Sequence, residues 1–224
     1  MILRKNLREV IERSLRSTTV LDVGGWYLPL NVATHVLDIH PHGTRGAALD
    51  PENAERFSAT TWHIHDACVA PWPFPDKFFD FSFCSHLLED VRDPLAVVRE
   101  LSRVAKSGYV ETPSREREIF AKDRWAALSA RIGRPPEVGF YHHRWFVEAE
   151  GTHLRFLAKT SELLRDPGYY ITRSSLGRKL REEESGLGIF WDGAITADET
   201  IIVDADEARQ DLRRFRDIVL TRLR

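Results

Sequence analysis

The chain has 224 residues, of which 42% are hydrophobic and 29% charged, with a formal net charge of -2. That is enough to bury a full core in one domain with an appendage, and it excludes a disordered or collagen-like polymer. With near-neutral charge and no long block of like charge, it also argues against a nucleic-acid tail.

The two cysteines, Cys68 and Cys84, are too few for a disulfide framework and read as reduced thiols in a cytoplasmic protein. The first segment carries Leu3, Leu7, Val10, Ile11 and Leu15 at helical spacing and predicts a helix over residues 1–17. Being basic and amphipathic, it is weighed as a membrane-surface helix and read instead as a helix packed on a sheet. It holds no unbroken apolar stretch of signal-peptide length, and no stretch of the chain approaches a membrane-spanning helix.

Residues 19–113 alternate strands and helices. Val20 to Val23, Val36 to Ile39, Thr61 to Ile64, Phe79 to Cys84 and Gly108 to Glu111 are short apolar or β-branched runs, the pattern of parallel strands covered on both faces. The clearest helix runs from Asp93 to Ala105, with Asp93 as cap, Pro94 at the first helical position and Leu95, Val98, Leu101 and Val104 as one stripe. Asn31 to Thr34 leaves little room for a helix between the first two strands. Together these predict a doubly wound, Rossmann-like α/β fold, its mostly parallel seven-stranded sheet flanked by helices on both faces.

Beyond Pro113, residues 115–140 read as a charged, lid-like insertion over the strand ends. Trp145 to Val147 and Leu154 to Leu157 read as two strands about the turn at Glu150 and Gly151. Residues 169–184 are polar, helix or loop. Ile189 to Trp191 and Thr200 to Val203 flank Asp192-Gly193 as a second hairpin, and residues 207–223 close the chain as an amphipathic helix. The expected organisation is one domain over 1–224, with its core at 18–160 and a hairpin-and-helix appendage at 161–224.

The chemistry concentrates at the strand ends. Thr19-Val-Leu-Asp-Val-Gly-Gly25 is an apolar run ending in two glycines, Asp38 ends the second run, and Asp66 follows the third. In an open α/β sheet, ligands bind at the carboxyl ends of the strands. This order, with Trp72-Pro-Phe-Pro-Asp76, Cys84-Ser-His86 and Gly108 to Pro113, resembles the class I S-adenosylmethionine-dependent methyltransferases over roughly residues 19–160, and is nearest to a bacterial subgroup similar to methyltransferase type 11. The resemblance implies S-adenosylmethionine as cofactor. It implies Asp22, Gly24, Gly25 and Trp26 near its amino-acid part, Asp38 at the ribose, Asp66 and Ala67 at the adenine, and Ser85 and His86 facing the methyl-donor pocket. A small-molecule acceptor follows, with a sugar or glycan intermediate as the class that such relatives suggest.

Two departures bear on activity. Trp26 stands where most relatives have a second glycine, and Asp90 where many have histidine. A non-catalytic ligand-binding or interaction protein on the same scaffold is therefore the alternative. Methyl transfer from a sulfonium needs chiefly alignment and water exclusion, and a base helps when the acceptor is a hydroxyl. His86 is the first residue expected in that role, Glu111 the second, and His142 or His143 the third. Trp125, Tyr141, Arg144 and Trp145 are expected to line the acceptor space.

Other chemistries fit less well. His40 with His42 and His63 with His65 are spaced to share a strand face, but no cysteine pair accompanies them and no metal is assigned. A hydrolase reading lacks the Gly-x-Ser-x-Gly elbow. A dehydrogenase reading lacks Gly-x-Gly-x-x-Gly after the first strand. A homodimer is the one macromolecular assembly that the sequence leaves open; no nucleic-acid or membrane partner is expected.

Overall fold

A computed structural model describes residues 2–121, 136–164 and 166–223. The chain divides into two compact units. The first comprises Met1–Thr112, Ala149–Leu154 and Gly188–Asp198; the second comprises Pro113–Glu148, Arg155–Leu187 and Glu199–Arg224.

The first unit is built on strands β1 (Val20–Val23), β2 (His35–Asp38), β3 (Trp62–Ile64), β4 (Phe81–Ser85) and β5 (Ser107–Pro113). With β8 (Gly186–Asp192), they form a six-stranded sheet in the order β3-β2-β1-β4-β5-β8. The β1–β2, β1–β4, β2–β3 and β4–β5 pairs are all parallel. Strand order reverses between β1 and β4, the place where a doubly wound sheet opens a ligand crevice.

The expected class holds, but the sheet has six strands rather than seven. The expected C-terminal hairpin does not form either. β8 lies beside β5, whereas β9 (Thr196–Thr200) joins β6 (Trp145–Glu150) and β7 (His153–Ala158) in a separate three-stranded sheet of order β6-β7-β9. The missing side chain of Gly108 decides where β8 lands. A Cβ there would meet the Ser82 hydroxyl at 2.4 Å and Trp191 at 2.8 Å, so the backbone is bare where β8 brings its tryptophan in.

Strands β1 and β4 are short and apolar because both of their faces are buried. Helix α1 (Arg4–Arg16) turns Val10 to the core cluster of Val20, Leu30, Phe81, Phe83 and Tyr109. Its outer face carries the (i, i+4) pairs Arg8–Glu12 and Glu9–Arg13, each worth only a few tenths of a kcal/mol (roughly 0.2–0.5). Helix α2 (Pro94–Val104) starts as expected: the Asp93 carboxylate accepts the Ala96 N–H at 2.9 Å and Pro94 occupies the first turn. It is the one full α-helix among the crossovers that link β1 to β5. The β1–β2 link has none, and the β2–β3 link carries only the 3-10 turn His42–Thr44.

In the second unit, Ile119, Phe120, Phe146, Leu157, Tyr170, Ile171, Leu212 and Val219 share one core. The C-terminal helix Ala205–Leu223 supplies Leu212, Val219 and Leu220 to it, as its spacing predicts. Helix α3 (Arg115–Glu118) opens on Ser114, whose hydroxyl accepts the Arg117 N–H. Of the expected insertion at 115–140, residues 122–135 lie outside the described residues, and Trp125 with them. No described helix is long and apolar enough to cross a membrane.

Candidate active site

The expected cofactor residues gather at the carboxyl ends of β1, β2, β3 and β4. β1 delivers Asp22 and then Gly24, which has φ +81°, a left-handed conformation that favours glycine. The Gly24 N–H donates to the Leu37 carbonyl at 2.9 Å, and a side chain there would press on Leu87 at 3.0 Å. A Cβ on Gly25 would stand 2.4 Å from the Asp22 carboxylate. The two glycines thus have separate reasons, one conformational and one steric.

Asp22 is fully buried and accepts the Leu30 N–H at 2.8 Å, which fixes the helix-free crossover to β1. Burial pushes its carboxyl up to about 7; the Leu30 hydrogen bond opposes this, and the nearby Asp38 charge adds to it. The sign follows from linkage. A carboxyl raised from 3.8 to about 7 contributes most below the unfolded value, and that contribution is lost as pH rises toward 7. Asp22→Asn keeps an acceptor for Leu30, so it should raise the melting temperature relative to the parent at pH 8.5 and not at pH 4. Thermal melts at the two pH values check this, and an equal effect at both would refute it.

Asp38, buried at the end of β2, uses one oxygen for the Trp26 N–H at 3.0 Å and the other for the His40 N–H at 2.8 Å. A carboxylate offers about four lone-pair sites, so two remain open to further donors. Its register partner on β3 is Ile64. Ile64 and Ile39 are 63% and 59% exposed, large apolar side chains adjoining Asp38 across the ladder and along the chain. Both belong to predicted strand runs, and neither is marked as a site residue by the sequence; only their exposure distinguishes them.

The indole of Trp26 packs against Val36, Phe57 and Trp62. It lies against His40 in a tilted ring pair, 4.2 Å between centroids, and its Nε1 donates to the Thr44 carbonyl at 2.8 Å. Trp26 is therefore bound to the β2–β3 side of the crevice, leaving Gly24 to face Leu87. Asp66 accepts the Cys68 N–H at 2.8 Å and the Arg92 guanidinium at 2.7 Å. Burial works to raise its carboxyl, but these two donors hold it below the usual carboxylate range. Arg92 is a partner that sequence reasoning missed. Ala67 is buried, and its carbonyl accepts the Trp72 indole N–H at 2.9 Å.

Ser85 ends β4 in register with Glu111 on β5. His86 follows with φ +53°, an uncommon conformation for a residue with a side chain. Its N–H donates to the Glu111 carbonyl at 2.8 Å. Its Nδ1 lies 3.2 Å from Glu89 Oε1 and its Nε2 lies 3.4 Å from Glu111 Oε1. Burial alone would lower the imidazole, but Glu111 and Glu89 outweigh it and raise it to about 9. The residue expected to act as a base thus faces a carboxylate at each ring nitrogen. Glu111 is itself heavily engaged. Both of its oxygens accept the Leu3 N–H at 3.0 Å, and the Tyr109 hydroxyl donates to it as well.

The remaining histidines are placed elsewhere. His42 meets Trp62 and Phe57 edge-on, His63 stacks with His35, and the His65 ring contacts the Val69 carbonyl at 2.7 Å. In the second unit, Tyr141, His142 and Arg144 are exposed and Trp145 is half-buried. His143 is buried against Glu118 at 2.7 Å.

A strand order of 3-2-1-4-5 with acids near the ends of β1 and β2 defines a doubly wound, Rossmann-like α/β fold with its crevice at the β1/β4 switch point. The match to known proteins agrees: residues 29–110 match the family model described as "Methyltransferase domain". That segment is less than half of the chain, and over it the chain is similar to methyltransferase domains. Among curated proteins none matches.

The chain is similar to several solved structures. The N-terminal domain of EvdMO1, solved in the presence of SAH and D-fucose, shares 20% identity at a TM-score of 0.33, over 49% of this chain and 50% of that one. The [4+2]-cyclase SpnF shares 19% identity at a TM-score of 0.33, over 50% of this chain and 45% of that one. A Bacillus halodurans C-125 protein, solved as a candidate methyltransferase, shares 12% identity at a TM-score of 0.32, over 63% of this chain and 71% of that one. The match therefore spans about half the length of the first two.

Proposed function

We propose that the chain transfers a methyl group from S-adenosylmethionine to a small-molecule acceptor, and that the acceptor is a sugar or glycan intermediate. The observation that carries the cofactor half of this reading is Asp38. It is a buried carboxylate at the end of β2, pinned by two backbone donors, with lone pairs to spare and exposed Ile39 and Ile64 beside it. The donor set fits a nucleoside, with acid for the ribose hydroxyls and apolar surface for the base. Asp22, Gly24, Gly25 and Trp26 shape the first turn, Asp66 and Ala67 bound the adenine end, and Ser85 leads to His86 and Glu111 at the acceptor end.

When bound, the sulfonium supplies a methyl carbon already activated for displacement. The protein's part is then alignment and exclusion of water. The acids at the strand ends, Asp38, Glu89 and Glu111, outnumber the His86 cation. That excess of negative charge favours a positively charged donor over its neutral demethylated product.

Isothermal titration with S-adenosylmethionine and S-adenosylhomocysteine tests the reading, and no binding of either at millimolar concentration would overturn it. Binding without turnover across a panel of sugars would instead support a ligand-binding protein on the methyltransferase scaffold. Asp38→Ala should weaken S-adenosylhomocysteine by about 1–3 kcal/mol, the usual cost of leaving buried polar partners unpaired. Unchanged affinity would remove Asp38 from the site.

A further inference from the structure

At the turn after β4, a half-buried histidine sits between two deeply buried carboxylates. Glu89 and Glu111 are each 1% exposed, whereas the His86 side chain is 32% exposed. Burying a carboxylate is costly unless it is paired and hydrogen-bonded, and here two are buried around one ring. Glu89 follows His86 by three residues, so the same turn that forces His86 to positive φ also returns a carboxylate to its Nδ1. Glu111 reaches the opposite nitrogen, Nε2, from β5. Glu111 is anchored in turn by the Leu3 N–H and by Tyr109, whose hydroxyl accepts from the Asn6 amide at 2.8 Å. The second oxygen of Glu89 has no hydrogen-bond partner among the described residues, so little besides His86 compensates that charge.

We propose that Glu89 is a positioning residue. With Glu111 it holds His86 as a doubly protonated imidazolium, so that His86 presents a fixed cation to the acceptor end of the site and takes no proton from the acceptor. An imidazole facing a carboxylate at each nitrogen satisfies both only when both nitrogens carry hydrogen. Strained backbone at such a point persists only where its surroundings over-determine it, and three contacts do so here: the His86 N–H on the Glu111 carbonyl and one carboxylate on each ring nitrogen. The other ionisable groups near the cluster among the described residues are Tyr109, which donates to Glu111, and Cys84 on β4, which interacts with Glu89 and with Asp22 on β1. The inference rests on the proposed methyl transfer only for where the acceptor lies.

The experiment is an NMR titration of the His86 imidazole in the free full-length chain, followed through its 15N and 13C shifts. The wild-type ring should stay charged through pH 7.5, with its midpoint above 8. Glu89→Gln should lower that midpoint by at least one unit, and Glu89→Asp should restore part of the shift. A wild-type midpoint between 6 and 7 would overturn the proposal, as would a Glu89→Gln midpoint equal to that of the parent. If Glu89→Gln does not fold, the wild-type midpoint decides alone. Because no donor is present, failure to bind S-adenosylhomocysteine leaves this result standing, and failure here leaves cofactor binding untouched.

Discussion

Replacing Glu118 with alanine should destabilise the second unit by about 3–5 kcal/mol, the range for removing one partner from a buried ion pair. Glu118 is buried, and its two oxygens divide between His143 Nδ1 at 2.7 Å and the Lys159 ammonium at 2.6 Å. Burial would raise its carboxyl, yet His143 and Lys159 together hold it below the ordinary glutamate value. The Lys159 ammonium also donates to the Phe140 carbonyl at 2.5 Å. Glu118 therefore pins the segment that carries Tyr141 and His142. Without it, a nearly buried ammonium keeps only that carbonyl. Scanning calorimetry of Glu118→Ala checks this, and the double variant Glu118→Ala/Lys159→Met should recover part of the loss, because the stranded charge is gone. A loss below 1 kcal/mol would mean that the cluster relaxes into water.

The second large effect is expected at Gly25. Alanine there places a Cβ 2.4 Å from Asp22 Oδ2 and 3.1 Å from Val36. Neither neighbour has room, since Asp22 holds the Leu30 N–H and Val36 is fully buried. Overpacking of this kind costs about 1–3 kcal/mol. Because the displaced backbone also carries the Trp26 N–H that orients Asp38, S-adenosylhomocysteine affinity should fall at least tenfold. A melt together with a titration reads both effects. An unchanged melt with unchanged affinity would show that the turn after β1 is softer than its contacts indicate.

Local patterns were sufficient for much of the first unit. Buried parallel strands must be short, apolar and β-branched, so β1, β2 and β4 were legible as runs. The Asp93-Pro94 pair marks the start of α2 by chemistry confined to one turn. The helix-free link after β1 was legible too, because the turn at Gly24, Gly25 and Pro29 leaves only Asn31 to Thr34 before β2. The assignment of the last strands was not. Thr200 to Val203 reads as a strand by composition, yet β9 ends at Thr200, and Ile201 and Val203 are exposed. β8 finds its place beside β5 through Gly108, Tyr109 and Phe190, residues about eighty positions apart in the chain. Long-range pairing of this kind leaves no periodic trace.

The same division runs through the candidate site. Acids following apolar runs, and glycines following the first of them, are properties of the amino-acid order. They place Asp22, Asp38, Gly24 and Gly25 at or near strand ends without reference to any distant partner. The sequence by itself thus determined the doubly wound class and the acids at the strand ends, because both depend on residues close together in the chain. Only the tertiary structure decided the direction of Trp26, the exposure of Ile39 and Ile64, the pairing of Arg92 with Asp66 and the carboxylates around His86. Each of these depends on partners from separate elements: Thr44 and Phe57 for Trp26, Glu111 from β5 and the N-terminal Leu3 for His86. An imidazole's protonation is set by what surrounds it in space, and its neighbours in sequence supply only Glu89.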